Sequence, residues 1–215
     1  IIEIGMPFSD PLADGPIIQE ASQIAIKNGV TIGWILDTVK EIRNTSQIPL
    51  ALMGYLNPII KYGLRKFIYD CKDAGVDGLI LPDLPLEEAG DYLSLCESVD
   101  ICTILLVAPN TSNERIREIS ASAISLIYCV SILGITGGKG ANQLELEKYL
   151  NRVEKYSVCP FVVGFGVKNR ADVVRINRIG HGAVIGSAII NEIQRSTNSI
   201  LTVKKYINKL TVDDC

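Results

Sequence analysis

Histidine is nearly absent from this sequence: His181 is the one imidazole in 215 residues. The six cysteines, Cys71, Cys96, Cys102, Cys129, Cys159 and Cys215, form no CxxC pair. Together these shortages argue against a structural zinc site and favour reduced thiols in a reducing compartment. No GxGxxG run follows a strand, so the fingerprint of a dinucleotide fold is missing. Basic excess is lacking too. The formal net charge is −3 and the sequence pI is near 5.3, which gives no bulk signal for nucleic acid but leaves room for a local phosphate pocket. No apolar run reaches membrane-spanning length and no signal-peptide pattern stands ahead of the first strand, so no membrane partner is expected. The location expected is cytoplasmic, or the plastid stroma if the source is a photosynthetic eukaryote.

The composition is that of an ordinary globular chain with a sizeable core, 47% hydrophobic and 21% charged, with 18 Gly and 9 Pro. Its length suits one domain, taken as residues 1–215. Seven nearly all-apolar runs read as strands: Ile1–Gly5, Pro49–Met53, Gly78–Leu81, Cys102–Val107, Ile124–Val130, Pro160–Gly164 and Ala183–Gly186. Amphipathic runs between them predict helices over Ile17–Asn28, Ile32–Arg43, Leu64–Ala74, Glu87–Cys96, Glu114–Ala121, Leu144–Tyr156, Arg170–Arg178 and Ile200–Leu210. Gly29 and Gly75 read as helix stops, and Thr111 with Glu114 as a capping box. Trp34 is expected to pack, and His181 to be solvated or locally bonded.

Strand–helix units of about 30 residues imply a parallel sheet, either barrel or open. Polar and glycine residues recur where strands end: Glu3, Asn57, Asp83, Asn110, Thr136, Gly166 and Ser187. That recurrence favours a (β/α)8 TIM barrel, whose chemistry is built on that face. With seven strands in view, the expectation is that the first βα unit, roughly 30 to 50 residues, is missing from this chain.

One stretch carries more information than any other: Ile1-Ile2-Glu3-Ile4-Gly5-Met6-Pro7-Phe8-Ser9-Asp10-Pro11-Leu12-Ala13-Asp14-Gly15-Pro16. Glu3 interrupts a strand and points away from Ile2 and Ile4. Asp10 and Asp14 follow on a loop stiffened by prolines. A strand-borne acid is costly unless paired or used. From Glu3 to Pro16 this run resembles the signature of the tryptophan synthase alpha chain. The likeness continues through Tyr55-Leu56-Asn57-Pro58 and Leu81-Pro82-Asp83-Leu84-Pro85, and through Gly134-Ile135-Thr136-Gly137, which is similar to the Gly-Val-Thr-Gly of that family's closing loop. It reaches from Glu3 to about Ile193.

The resemblance implies a lyase of L-tryptophan biosynthesis that cleaves indole-3-glycerol phosphate to indole and glyceraldehyde 3-phosphate. Glu3 would be the general acid–base, its pKa raised by desolvation, and Asp14 would stay ionised and accept the indole N–H. The four glycines of Gly134–Gly140 read as a lid or as a long surface loop. The resemblance favours the lid, on which Thr136, beside Gly137, would hold Asp14. Tyr128 would line the substrate pocket and bond the catalytic acid, unless it is simply a buried core tyrosine. Gly166, Gly186 and Ser187 would hold the substrate phosphate at glycine turns and a helix start. Two tight turns of small residues are the plainer reading of those positions. Asn57 and Asp83 would shape the rim or meet a partner. No metal or organic cofactor is expected. Pyridoxal phosphate would belong to a beta-chain partner in an alpha2-beta2 heterotetramer. A different phosphate-binding barrel, such as an isomerase, and a non-catalytic regulatory partner of the beta chain are the alternatives.

Overall fold

The computed structural model describes residues 1–123, 125–131, 141–164 and 166–211. They fall into two compact units, Ile1–Leu105 with Ala123–Ser125, and Leu106–Ser122 with the chain from Leu126 onward.

The first unit runs β1 (Ile2–Gly5), α1 (Pro16–Lys27), α2 (Ile32–Arg43), β2 (Leu50–Met53), α3 (Leu56–Tyr62), α4 (Leu64–Ala74), β3 (Gly78–Ile80), a 3-10 turn at Leu86–Glu88, α5 (Gly90–Ser98) and β4 (Cys102–Thr103). The strands pair in parallel in the order β1-β2-β3-β4, with Glu3 opposite Ala51. Parallel strands need crossovers, and the helices supply them. Thr31 caps α2 by accepting from the Trp34 N–H at 3.2 Å. Ile35, Leu36 and Val39 on α2 and Phe67, Ile68 and Cys71 on α4 then bury one face each. They share a core with Leu50, Leu52, Leu79 and Tyr92. Gly75, at φ 90°, turns the chain out of α4 in the left-handed conformation that a Cβ would disfavour.

The second unit runs β5 (Leu105–Val107), α6 (Asn113–Ser122), β6 (Ile127–Val130), α7 (Ala141–Tyr156), β7 (Phe161–Gly164), α8 (Arg170–Ile176), α9 (Ser187–Gln194) and α10 (Ser199–Thr211). Its sheet has the order β5-β6-β7, and β6 and β7 run parallel. Tyr149 and Arg152 on α7 hold the end of β5 and the turn after it. The Tyr149 hydroxyl donates to the Val107 carbonyl at 2.8 Å and the Arg152 guanidinium to the Pro109 carbonyl at 2.5 Å.

Several expectations change. The run Cys102–Val107 is two short strands in different sheets, β4 and β5. Ala183–Gly186 forms a single bridge, Val163 with Ala183, in place of a full strand, and α9 begins directly after it at Ser187. Ile124 lies outside the described residues. The cap of α6 is Ser112, which accepts from the Arg115 N–H at 3.2 Å. Thr111 instead accepts from the Ala108 N–H within the preceding turn. Helix α3 carried no periodic signal in its seven residues. Trp34 is 56% exposed rather than packed, and Ile200 on the apolar stripe of α10 is 84% exposed. His181 is locally bonded, its Nδ1 accepting from the Phe161 N–H at 3.3 Å. Cys71, Cys96, Cys102, Cys129 and Cys159 are free thiols. No described helix is long and apolar enough to cross a membrane.

Gly54 is where the loop after β1 comes closest to the end of β2. The Met6 N–H donates to the Met53 carbonyl at 2.7 Å, and a Cβ on Gly54 would lie 2.8 Å from the Met6 Cβ. The Met6 Cβ is tied to its backbone, so that clash cannot be relieved by a side-chain rotation. Gly54→Ala should therefore destabilise by about 1–3 kcal/mol. The check is a thermal or urea melt showing a lowered midpoint with an unchanged urea m-value.

Candidate active site

The site in the first unit grows from the end of β1. Beyond Gly5 the chain cannot continue the strand past Pro7, and it enters a loop that other side chains hold in place. Ser22 on α1 brackets Phe8: its hydroxyl accepts from the Phe8 N–H at 2.9 Å and donates to the Phe8 carbonyl at 3.1 Å. Gln19 donates through Nε2 to the Asp14 carbonyl at 2.8 Å. Pro16 then starts α1, where its missing N–H costs nothing. Asp14 is thereby held on the loop just before a helix.

Tyr55 meets it from the end of β2. This tyrosine is buried, and its hydroxyl donates to Asp14 Oδ2 at 2.9 Å and accepts from the Ala13 N–H at 2.9 Å. Asp83, after β3, accepts from the Leu56 N–H with both carboxylate oxygens, at 3.0 and 3.1 Å. Leu56 is the first residue of α3, so Asp83 acts as a cap on that helix.

Glu3 is partly withdrawn from water on β1. Burial pushes its carboxyl from the ordinary 4.5 up to about 7, and the negative charge of Asp14 adds to the rise. The Asp14 carboxyl is also raised by burial, and the Tyr55 hydrogen bond opposes that rise. Two carboxyls that feel each other's charge, one of them held by the Tyr55 hydroxyl, can hold different protonation states at one pH.

In the second unit, Tyr128 on β6 is buried. Its ring lies over Gly164 at the end of β7, where a Cβ would fall 1.9 Å from the Tyr128 hydroxyl oxygen. Gly164 is therefore the condition for a tyrosine at this place. Gly166 has φ 86°, a left-handed conformation suited to glycine. The loop it opens is secured by the Tyr206 hydroxyl, which donates to the Lys168 carbonyl at 2.6 Å, and by the Asn169 cap of α8. Beside it, the Val184 N–H donates to the Val163 carbonyl at 2.8 Å. That bond carries the chain along β7 to Gly186 and Ser187, both exposed at the start of α9. Ser187 opens a helix whose first-turn N–H groups lack intrahelical partners.

The family profile described as Tryptophan synthase alpha chain matches residues 1–212. The chain belongs to the tryptophan synthase alpha chain family. It is 44% identical over 211 residues to the tryptophan synthase alpha chain of Petrotoga mobilis, covering 98% of this chain and 82% of that one. It is 45% identical over 202 residues to that of Prosthecochloris aestuarii, covering 90% and 76%. Among solved structures, the tryptophan synthase complex of Pyrococcus furiosus matches with a TM-score of 0.87 and 34% identity over 97% of this chain and 84% of that one. The fold class is α/β, that of a (β/α)8 barrel.

Of the residues that the alpha-chain resemblance singled out, Glu3 and Asp14 come within electrostatic reach of each other. Gly166, Gly186 and Ser187 lie on loops that leave neighbouring segments of one unit. Thr136 and Gly137 fall outside the described residues, and with them the expected bond from Thr136 to Asp14. Asp83 is accounted for as a helix cap. Tyr55 is the residue that sequence reasoning passed over. It stands in a motif typical of the alpha-chain family, but nothing in the spacing of residues 14 and 55 says that they touch.

The raised Glu3 pKa ties stability to pH. The folded protein holds the Glu3 proton more tightly than the unfolded chain does. The associated stabilisation is therefore full below the unfolded value of 4.5 and is lost as pH rises toward about 7. Asp14 acts in the same direction. Glu3→Gln removes a titrating buried acid, so it should raise the thermal midpoint relative to wild type at about pH 8.5 and much less at about pH 5. Melting curves of both proteins at the two pH values test this.

Proposed function

We propose that Glu3 and Asp14 divide the proton chemistry of a carbon–carbon cleavage between them. The chain is a lyase of the tryptophan synthase alpha type, acting on indole-3-glycerol phosphate in L-tryptophan biosynthesis. Glu3, with its pKa brought near neutrality, can give a proton and take one back at working pH. As the acid it protonates indole C3. As the carboxylate it removes the proton of the glycerol hydroxyl beside the scissile bond. That bond breaks, its electron pair passes to the indole ring, and indole and glyceraldehyde 3-phosphate leave.

Protonation at C3 puts positive charge on the ring nitrogen. Asp14 accepts the indole N–H and stabilises that charge, which it can do only as a carboxylate. Of the two acids Glu3 takes the proton, because Asp14 carries a hydroxyl donor and its charge raises Glu3. Gly166, Gly186 and Ser187 hold the phosphate through backbone N–H groups and the start of α9. Tyr128 is assigned to substrate binding by the family resemblance. Thr136 and Gly137 are assigned to substrate binding by the family resemblance alone. The step balances without a metal or an organic cofactor, and none is proposed for this chain.

The beta chain of tryptophan synthase is the proposed partner. A solved Pyrococcus furiosus structure is described as mutual activation of the a2b2 complex, and an alpha2-beta2 heterotetramer is the assembly proposed here. Pyridoxal phosphate is assigned to that partner. The whole chain is assigned to one barrel domain, supported by the family match over residues 1–212. The bacterial relatives support a cytoplasmic location over a plastid one.

The observation that carries this reading is the placement of Glu3 on β1 within electrostatic reach of an Asp14 carboxylate held by the Tyr55 hydroxyl, in a site withdrawn from water that raises the Glu3 carboxyl. The test is indole release by the purified protein. Glu3→Gln and Asp14→Asn should each slow it by about 10²–10⁴-fold with the fold retained. Indole release by Glu3→Gln within a few-fold of wild type would remove the mechanism.

A further inference from the structure

We propose that Tyr55 is a positioning residue that keeps Asp14 ionised and aimed while Glu3 holds the catalytic proton. This rests on the assignment of those two acids made above.

A phenol oxygen has one proton to donate. The Tyr55 hydroxyl already accepts from the Ala13 N–H at 2.9 Å, so its own proton is directed to Asp14 Oδ2, also at 2.9 Å. One atom thus grips two consecutive residues of the loop. It fixes the backbone at Ala13 and the carboxylate at Asp14.

The grip is firm because Tyr55 is itself held on both sides. Its side chain is 5% exposed, and its ring meets that of Phe8 at 5.6 Å with a 36° tilt. Phe8 is bonded to Ser22 through both its backbone groups. On the other side, the residue after Tyr55 starts α3 and is bonded to Asp83. Moving the hydroxyl would require shifting the loop, the ring contact or the helix start.

The choice of a phenol has a physical reason. Among the described residues, the charged groups that act on this cluster are Glu3 on β1, Asp14 on the loop and Asp83 after β3, and all are acidic. An arginine or lysine in place of Tyr55 would stabilise the Asp14 carboxylate, but its charge would reach Glu3 as well and lower both acids together. A neutral hydroxyl acts through a directed bond and falls off with distance. It favours ionisation of Asp14 alone and so keeps the two acids apart in protonation state. Burial holds the phenol itself up at about 12, so it stays a donor across neutral pH.

Tyr55→Phe keeps the ring and removes the hydroxyl. In the full chain, with aspartate labelled at its carboxyl carbon, the NMR titration of Asp14 should move up by about one pH unit. The acidic limb of the kcat/KM profile should move up with it, with kcat falling more than KM changes. The companion variant places 3-fluorotyrosine at position 55. It preserves both bonds with a more acidic donor, so it should move the Asp14 titration in the opposite direction and covers the case in which Tyr55→Phe does not fold. An Asp14 titration unchanged in either folded variant overturns the role of Tyr55. A titration that moves while the rate profile stays in place leaves the role of Tyr55 standing and removes Asp14 from the chemistry.

Discussion

A carboxyl withdrawn from water resists ionisation, and one that faces a second carboxyl resists it further. At Glu3 both effects push the same way. The rest of the first unit can be understood as the means of sustaining that condition. A parallel sheet fixes the depth of β1 through its register with β2. The loop beyond it is bonded to α1 and to Tyr55 so that Asp14 stays where its charge is felt. A looser loop would let Asp14 turn to water, and the carboxyl at the strand would return toward its ordinary value.

The supporting contacts are of modest individual strength. Each hydrogen bond on the loop is worth on the order of 1 kcal/mol net. Together they restrict the segment from Phe8 to Asp14 at several points, and the prolines lower the entropy lost in doing so. Met6 and Gly54 set how closely this loop approaches the end of β2. Asp83 commits its carboxylate to the backbone of α3, and in so doing steadies the residue that carries the Tyr55 hydroxyl. A residue that reads as a rim acid is thus part of the support of the site.

The second unit follows another rule, in which small residues make room. Gly164 admits the Tyr128 ring, Gly166 takes a left-handed turn, and Gly186 leads into a helix that starts at an exposed serine. Backbone N–H groups suit a phosphate because they bring no charge of their own to be desolvated. The acids proposed for the chemistry stand on a strand and its loop. The groups assigned to the phosphate are backbone.

Much of this was legible in the sequence. The bounds of α2 and α4 follow from apolar periodicity and, for α4, from Gly75, because these are local signals within one turn of the chain. Glu3 stood out because an acid in an apolar strand is costly anywhere. Misreadings arose where a non-local partner decides the outcome. Cys102–Val107 is nearly all apolar, yet its residues are divided between two sheets. Trp34, expected to pack, and Ile200, on the apolar stripe of its helix, lie exposed. The short α3 depends on a cap supplied from β3's far end, 27 positions along the chain. What the sequence by itself determined was the alternation of strands and helices, the acids at the first strand, and the glycines at the last. The meeting of Tyr55 with Asp14, and the pressure of Asp14 on Glu3, were decided by tertiary structure alone. Hydrogen bonds and electrostatic coupling depend on distance in space, and the order of residues in a chain does not encode it.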